Sequence, residues 1–446
     1  MLINFTFKNF RSFRDEQQFS MLRDGARGAD AWAHPEVSTA CAIYGPNASG
    51  KSNLLRAVEF ASGMVRDSYR GGPRGALGPY DPFLLSAGTE GEPVESFVEF
   101  IAPDGLRYKY WFSTLPKQVV SEELVVYRSS APSLLFSRWV EDGGQRVKFG
   151  PSLKGPKQQL WQLTKPETLL LSVAGASGLE ATLPAYEAMA GMFGFYDAPS
   201  YEGETLEVKT SVGRGGAVSD ALPRLLKCAD LGISGIETRD STPDPLVMQS
   251  LEQMIAIGGF SGDQADAVRR SVTTDLFYGH VAEGGETRWF PSKQESDGTR
   301  AATSFFSAAI RTLASGSVAL VDEIDASLHP TLVEALVELF TDPVTNPNQA
   351  QLIFTTHDVS LINKSGRENM VLERDQVWLV DKDERGASSL VPVTDFSPRP
   401  DENLGRNYLN GVYRALPTPS IKEAVASAMR AMREERDAAG KGGEGA

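Results

Sequence analysis

The sequence predicts an α/β fold built from two segments that lie far apart in the chain, and three observations carry that reading. The stretch Gly45-Pro46-Asn47-Ala48-Ser49-Gly50-Lys51-Ser52 places two glycines four residues apart, then Lys and Ser, between an apolar run and a run with helical spacing. Two later apolar runs end at Val321 and Thr356, and each is followed at once by polar groups, Asp322-Glu323 and His357-Asp358. Between these segments, from Val94 to Phe149, apolar and polar residues alternate in short successive runs, the pattern of an antiparallel sheet.

Residues Leu2 to Phe10 alternate with Ile3, Phe5 and Phe7 apolar and predict a strand, and Gln17 to Met21 predict a second strand or a turn. Ser38 to Tyr44 predicts the strand that feeds the glycine loop, and Asn53 to Phe60 the helix that leaves it. Tyr69 to Gly78 is rich in Gly and Arg and reads as a mobile loop, with approach to a nucleotide or polyanion as the alternative. Ser96 to Ile101 and Arg107 to Phe112 alternate on either side of Asp104-Gly105, a hairpin signal. Val119 to Tyr127, Leu134 to Val140 and Gln145 to Phe149 continue that antiparallel series.

From Gln158 to Lys227 the pattern is helical with interruptions, clearest at Leu169 to Val173, Leu183 to Phe195 and Asp220 to Cys228, and Glu237 to Glu283 is mixed. Ala302, Phe305, Phe306, Ala309, Ile310 and Leu313 then give a helix one apolar face. Ser317 to Val321, Gln351 to Thr356 and Gln376 to Val380 read as short buried strands. Between the first two, His329-Pro330 opens a helix, Thr331 to Phe340, at whose start His329 caps or packs. The tail from Arg430 is a charged helix fraying into a disordered end. No heptad repeat is sustained, so no long coiled coil is expected.

A chain of 446 residues buries a large core and suggests about two or three domains. Its 23% charged and 41% hydrophobic residues are ordinary for a soluble globular protein. No apolar run is long enough to cross a bilayer, and the N-terminus lacks a signal peptide's apolar region, so a cytoplasmic location and no membrane partner are expected. The two cysteines, Cys41 and Cys228, and the four scattered histidines give neither a disulfide framework nor a metal spacing. The formal net charge of −14 opposes binding to phosphate backbones at long range, which lowers the expectation of a dedicated DNA binder without forbidding a local basic face.

The glycine motif fits a P-loop. Gly45 and Gly50 let backbone N–H groups turn inward around phosphate oxygens, with Pro46, Asn47, Ala48 and Ser49 forming the loop between them and Asn53 following on the helix. The helix start adds open N–H donors and a positive dipole end. Lys51 reaches β- and γ-phosphates, and the Ser52 hydroxyl ligates Mg²⁺. In parallel α/β sheets the functional groups gather at strand C-terminal ends, and one reaction accounts for all three such ends here. Asp322 would hold Mg²⁺ through water, Glu323 would orient or deprotonate the attacking water, and His357 would sense the γ-phosphate of ATP. A solvated turn is the competing reading of Asp322-Glu323; the upstream P-loop and downstream Thr-His-Asp strand end argue against it.

A P-loop, a distant Ser-x-Gly segment before a helix, an Asp-Glu strand end and then a histidine resemble the ABC-type ATPase class that includes SMC and RecF proteins. The resemblance implies an ABC-type P-loop ATPase head with a mixed sheet, an antiparallel β-subdomain and an inserted helical lobe. Ser296-Asp297-Gly298-Thr299 takes the place of that class's signature motif, and by the resemblance Ser296 and Gly298 contact the γ-phosphate bound to a second subunit. A glutamine matching that class's Q-loop is not placed, since none stands between the P-loop and residue 117. More narrowly, Asn9-Phe10-Arg11-Ser12-Phe13, Glu295 to Arg300, Asp322 to Pro330, Thr355 to Asp358, Arg374 to Trp378 and Tyr408 to Pro417 are similar to the stand-alone AAA/OLD-like ATP-binding proteins of bacterial phage-defence (abortive infection) operons. Arg11 would by that analogy lie near the nucleotide; a surface arginine at a strand end is the alternative.

The division that follows is an N-terminal ATPase lobe (1–157), an insertion lobe (158–290), a C-terminal ATPase lobe (291–417) and a charged tail (418–446). The resemblance implies an ATPase that needs Mg²⁺, forms a homodimer around ATP and regulates a separately encoded effector, a nuclease or toxin. A RecF-like DNA-binding repair ATPase shares every nucleotide residue and stands as the alternative. Asp381-Lys382-Asp383 resembles half of a Toprim metal site, but the chain after it is too short to complete that unit, and a solvated strand end is the default.

Overall fold

Alternation of Phe5 and Phe7 with Asn4 and Thr6 makes Leu2–Lys8 a strand, β1, and β2 (Gln17–Ser20) folds back beside it. The computed structural model describes residues 1–24, 35–69, 80–197, 201–258, 262–363, 370–399, 402–416 and 421–442. The loop expected at Tyr69 to Gly78 lies, but for Tyr69, outside them. β3 (Ala40–Tyr44) is wholly buried and runs through the glycine loop into α1 (Lys51–Asp67), which is longer than the Asn53 to Phe60 expected. The meander follows as β4 (Val94–Ile101), β5 (Arg107–Leu115), β6 (Gln118–Tyr127), β7 (Pro132–Glu141) and β8 (Gly144–Phe149). Together with the first two strands it forms a seven-stranded antiparallel sheet in the order β2-β1-β4-β5-β6-β7-β8.

Three helices come next, α2 (Lys157–Leu163), α3 (Leu170–Ala176) and α4 (Leu183–Gly191). The helix expected to run from Leu183 to Phe195 stops at Gly191, and β9 (Phe193–Tyr196) takes its last residues into a sheet. Two glycines and three aromatics in Gly191 to Tyr196 disfavour helix and suit a pleated edge. The insertion continues as α5 (Tyr201–Arg214), α6 (Ala217–Cys228), β10 (Gly235–Asp240), α7 (Pro245–Gly258), α8 (Gly262–Thr273), β11 (Thr274–Val281) and β12 (Thr287–Pro291). β10, β11 and β12 pair as a small antiparallel sheet. The chain then returns through α9 (Asp297–Ser315), β13 (Val318–Val321), α10 (Pro330–Thr341), β14 (Gln351–Thr355), β15 (Val377–Lys382) and β16 (Ser388–Pro392). α11 (Leu404–Leu409) and the tail helix α12 (Ile421–Gly442), which begins well before Arg430, complete it.

The second large sheet has the order β16-β15-β3-β14-β13-β9; β16 runs antiparallel and every other pair is parallel. Period-two alternation gives it two apolar faces. Cys41, Ile43, Leu320, Ile353 and Val380 pack with α1, the antiparallel sheet and α2 to α4. Ala42, Tyr44, Val321, Phe354 and Leu379 pack with α9, α10 and the segment around Tyr408. The expected break between residues 157 and 158 does not divide the core: Leu160, Leu171 and Met189 share one cluster with Phe112 and Leu124.

Candidate nucleotide-binding site

β3 lies in the middle of the mixed sheet, between β14 and β15. A side chain on Gly45 would run into the Val380 carbonyl of β15, so the loop leaves the sheet by a path only glycine fits. At Gly50, φ is 116°, and an added Cβ would lie 2.5 Å from Ser388 Oγ and 2.7 Å from Ser12 Oγ. Those two serines brace the loop: Ser388 Oγ donates to the Ser49 carbonyl at 2.5 Å, Ser388 N to the Ser12 carbonyl at 2.7 Å, and Asn53 Nδ2 to Ser12 Oγ at 2.8 Å. α1 has no side-chain cap and no acid in its first turn, so its leading N–H donors stay open. Ser49 Oγ is buried without a hydrogen-bond partner.

Lys51 is buried, and its Nζ donates to the Gly45 carbonyl at 2.8 Å and the Pro46 carbonyl at 3.1 Å and stands 3.1 Å from His357 Nε2. An ammonium has three donors, and these three groups take them. Burial lowers the Lys51 pKa, while Glu323, Asp322 and Asp325 oppose the shift. Burial and then the Lys51 charge lower that of His357, against Asp325 and Glu323. The imidazole is therefore neutral at pH 7, and Nε2 accepts from the lysine.

Thr355, at the end of β14 and fully buried, ties the two carboxylate residues together. Its Oγ1 donates to Asp322 Oδ1 at 2.6 Å and accepts from Glu323 N at 2.7 Å. Glu323 sits at a left-handed φ of 54° and is exposed to the cleft. Asp325 Oδ2 accepts from His357 N at 3.2 Å, and its other oxygen is buried and unpartnered. Tyr44 OH donates to the Asp358 carbonyl at 2.8 Å, fixing the turn after His357.

The structure brings most of the expected residues together. Asn47, Ala48, Ser49, Gly50, Lys51, Ser52 and Asn53 line a cleft of about 370 Å³ with Glu323 and Lys382. Gly45 and Pro46 supply the carbonyls behind it. Arg11 is not brought there. It is ion-paired with Asp81 at 3.1 Å and lines a different hollow with Phe10, Arg56 and Phe60. Within the same opening motif it is Ser12 that touches the P-loop. Ser296 and Gly298 also stand outside this cleft. Ser296 caps α9, accepting from Thr299 N at 3.1 Å, and Gly298 is so close to Ser327 that a Cβ would lie 2.9 Å from its carbonyl oxygen. His329 caps α10 through Nδ1, which accepts from Thr331 N at 3.3 Å.

Sequence reasoning missed Ser12, Thr355, Ser388 and Lys382. Thr355 was legible in principle as the polar end of a buried strand, whereas Ser388 and Lys382 reach the site only through pairing of β15 with β3. Asp383 serves its own turn, with Oδ1 accepting from Arg385 N at 2.9 Å and Ala387 N at 2.7 Å. These contacts suit the default reading of a solvated strand end.

A strand, P-loop and helix beside an Asp-Glu strand end and a histidine contacting the P-loop lysine define a P-loop nucleotide-binding site. The family described as "AAA domain, putative AbiEii toxin, Type IV TA system" matches residues 41–155 and 236–363, more than half of the chain, and the chain belongs to that family. No curated protein matches it. Among solved structures it is similar to an Smc head bound to the C-terminal winged-helix domain of ScpA, at 13% identity over 87% of this chain and 96% of that one, with a TM-score of 0.44. An Smc head with an extended coiled coil bound to the C-terminal domain of ScpA, from Pyrococcus furiosus, matches at 12% identity over 87% and 95%, with a TM-score of 0.36. The recombination mediator RecF matches at 14% identity over 88% and 98%, with a TM-score of 0.32.

Proposed function

We propose that the chain binds ATP with Mg²⁺, forms a homodimer around it and hydrolyses it, and that this cycle sets the state of a separately encoded effector, a nuclease or toxin, in bacterial antiphage defence in the cytoplasm. The observation that carries the reading is the contact of Lys51 with His357, because one amine then links the phosphate loop to the end of β14. A γ-phosphate competing for that amine would release His357 to sense it.

The residues fit the ligand. The loop has no room for side chains at Gly45 and Gly50, the first N–H groups of α1 are open, and Ser49 Oγ is buried without a partner. Gly50 to Asn53 would cradle the phosphates by their N–H groups, and Ser52 and Asp322 would hold Mg²⁺, with Thr355 fixing Asp322. Mg²⁺ held there would supply charge neutralisation for the phosphates. Glu323, held by its backbone to Thr355, would orient or deprotonate the attacking water. Ser296 and Gly298 lie outside their own chain's cleft, which supports their use by a second copy. The family's description as a putative toxin of a toxin–antitoxin system supports a defence role. Exposed apolar side chains on α7 (Leu246, Met254, Ile257) and α12 (Ile421, Val425, Met432) support docking of a partner protein.

The test is steady-state ATP turnover of the wild type and Glu323→Gln, with and without duplex DNA at near-physiological salt. Slow turnover indifferent to DNA, reduced at least about a hundredfold in the variant, is expected. Strong stimulation by DNA would move the account to a RecF-like repair ATPase. A wild type that neither binds nor hydrolyses ATP would overturn it.

A further inference from the structure

The β15–β16 hairpin delivers a cation that the P-loop reading does not use. We propose that Lys382 is a second phosphate-binding lysine, which grips the α,β-diphosphate of a nucleotide held in the P-loop and so sets affinity rather than the rate of the chemical step. This rests on the reading of the cleft as a nucleotide site.

The placement is fixed by backbone pairing. β15 lies parallel to β3 with Leu379 beside Tyr44, so its C-terminal end emerges next to the P-loop. Lys382 is directly opposite Ser388 in the antiparallel pair of β15 and β16, and directly opposed residues project from the same face. The Ser388 side chain is turned onto the Ser49 carbonyl and abuts Gly50. Lys382 therefore projects over the C-terminal half of the loop, and it lines the same cleft as Ser49 to Asn53. The hairpin is held rigidly, with Asp383 N donating to the Ala387 carbonyl at 2.9 Å and Ser388 N to the Ser12 carbonyl at 2.7 Å. Among the described residues the Lys382 side chain has no hydrogen-bond or ion-pair partner, while its backbone N–H donates to Asp381 Oδ1 at 2.9 Å.

An unpaired ammonium at the rim of a cleft that holds the open N–H donors of α1 beside a single carboxylate, Glu323, suits an anion. The end of the loop it overhangs is where backbone N–H groups cradle α- and β-phosphates, while Lys51 serves β and γ. ATP and ADP share that diphosphate. A contact equally strong before and during the transition state lowers KM and leaves kcat alone.

The test compares the wild type, Lys382→Ala and Lys382→Arg by direct binding of ATP and of ADP with Mg²⁺ at low and high salt, alongside KM and kcat for ATP. Lys382→Ala is expected to weaken both nucleotides equally, on the order of tenfold at low salt, as for loss of one charge-assisted contact, and by less at high salt. KM rises with the same factor, kcat changes less than about twofold, and Lys382→Arg recovers most of the affinity. Unchanged affinity in Lys382→Ala would make it an ordinary surface lysine. A loss confined to ATP with a fall in kcat would put the amine on the γ-phosphate instead, and either result overturns the proposal. A wild type that binds no nucleotide overturns the reading of the cleft and this proposal with it, whereas wild-type binding with an indifferent variant overturns this proposal alone.

Discussion

Lys51 and His357 meet at 3.1 Å only while the imidazole is neutral; protonation would set two cations against each other. The folded His357 pKa lies below its ordinary 6.5, so the unfolded chain takes up the proton first. The stability that this residue contributes is full above pH 6.5 and is lost as pH falls through 6.5 toward the folded value. Melting temperatures between pH 7.5 and 5.5 should therefore fall more steeply in the wild type than in His357→Gln, and identical slopes would contradict a lysine-facing neutral histidine. At this scale the sequence was informative where chemistry sits in consecutive residues. Gly45 to Ser52, Asp322-Glu323 and His357 each carry a local signature. Ser388 and Ser12 carry none, since a lone serine is assigned to a P-loop only by the strand next to it. Arg11 shows the converse: its motif does reach the P-loop, but through the neighbouring Ser12, while the guanidinium turns to Asp81.

At the level of elements, the antiparallel sheet is fastened to α3 by a buried ion pair. Glu122 on β6 and Arg138 on β7 are at most 1% exposed, with Arg138 Nη1 3.6 Å from Glu122 Oε2. Glu122 also accepts from Leu170 N, Leu171 N and Tyr110 OH at 2.7, 2.9 and 2.8 Å, which places a carboxylate at the N-terminus of α3. Arg138 in turn donates to the Thr168 carbonyl at 2.7 Å. Burial raises the Glu122 pKa and lowers that of Arg138, each opposed by the other's charge. Arg138→Met should lower unfolding free energy by about 3–5 kcal/mol, because Glu122 is left buried and unpaired, and adding Glu122→Gln should restore part of it. Denaturant unfolding of the three variants checks this; an additive double variant would mean that the pair does not act as a unit. Element types were legible wherever period and length agreed, as in β4 to β8 and α9. They failed at β9, where a short aromatic run directly after a helix continues its apolar pattern and only pairing with β13 decides the state. α7 resisted for another reason: apolar residues stand both on its packed face, Leu251 and Ile255, and at exposed positions, Leu246, Met254 and Ile257, so no clear stripe marks it.

Across the whole molecule, two segments separated by the insertion close one nucleotide site because β3, β13 and β14 run parallel and end on one side. The sequence order of P-loop, Asp-Glu and histidine made that closure legible, since each follows an apolar run at its C-terminal end. It left open which sheet β1 would join and where the insertion's core lies, because both depend on long-range packing rather than on local pattern. The site that the two segments close lacks Ser296 and Gly298 of the same chain, so under the proposed function a second copy supplies them. The most direct measurement is sedimentation of Glu323→Gln with ATP and Mg²⁺, with ADP and Mg²⁺, and without nucleotide, alongside the same chain carrying Ser296→Arg. The expected result is a dimer with ATP alone, and a monomer under every condition once Ser296→Arg is added. A Glu323→Gln chain that binds ATP yet stays monomeric, or a dimer indifferent to nucleotide and to Ser296→Arg, would contradict it.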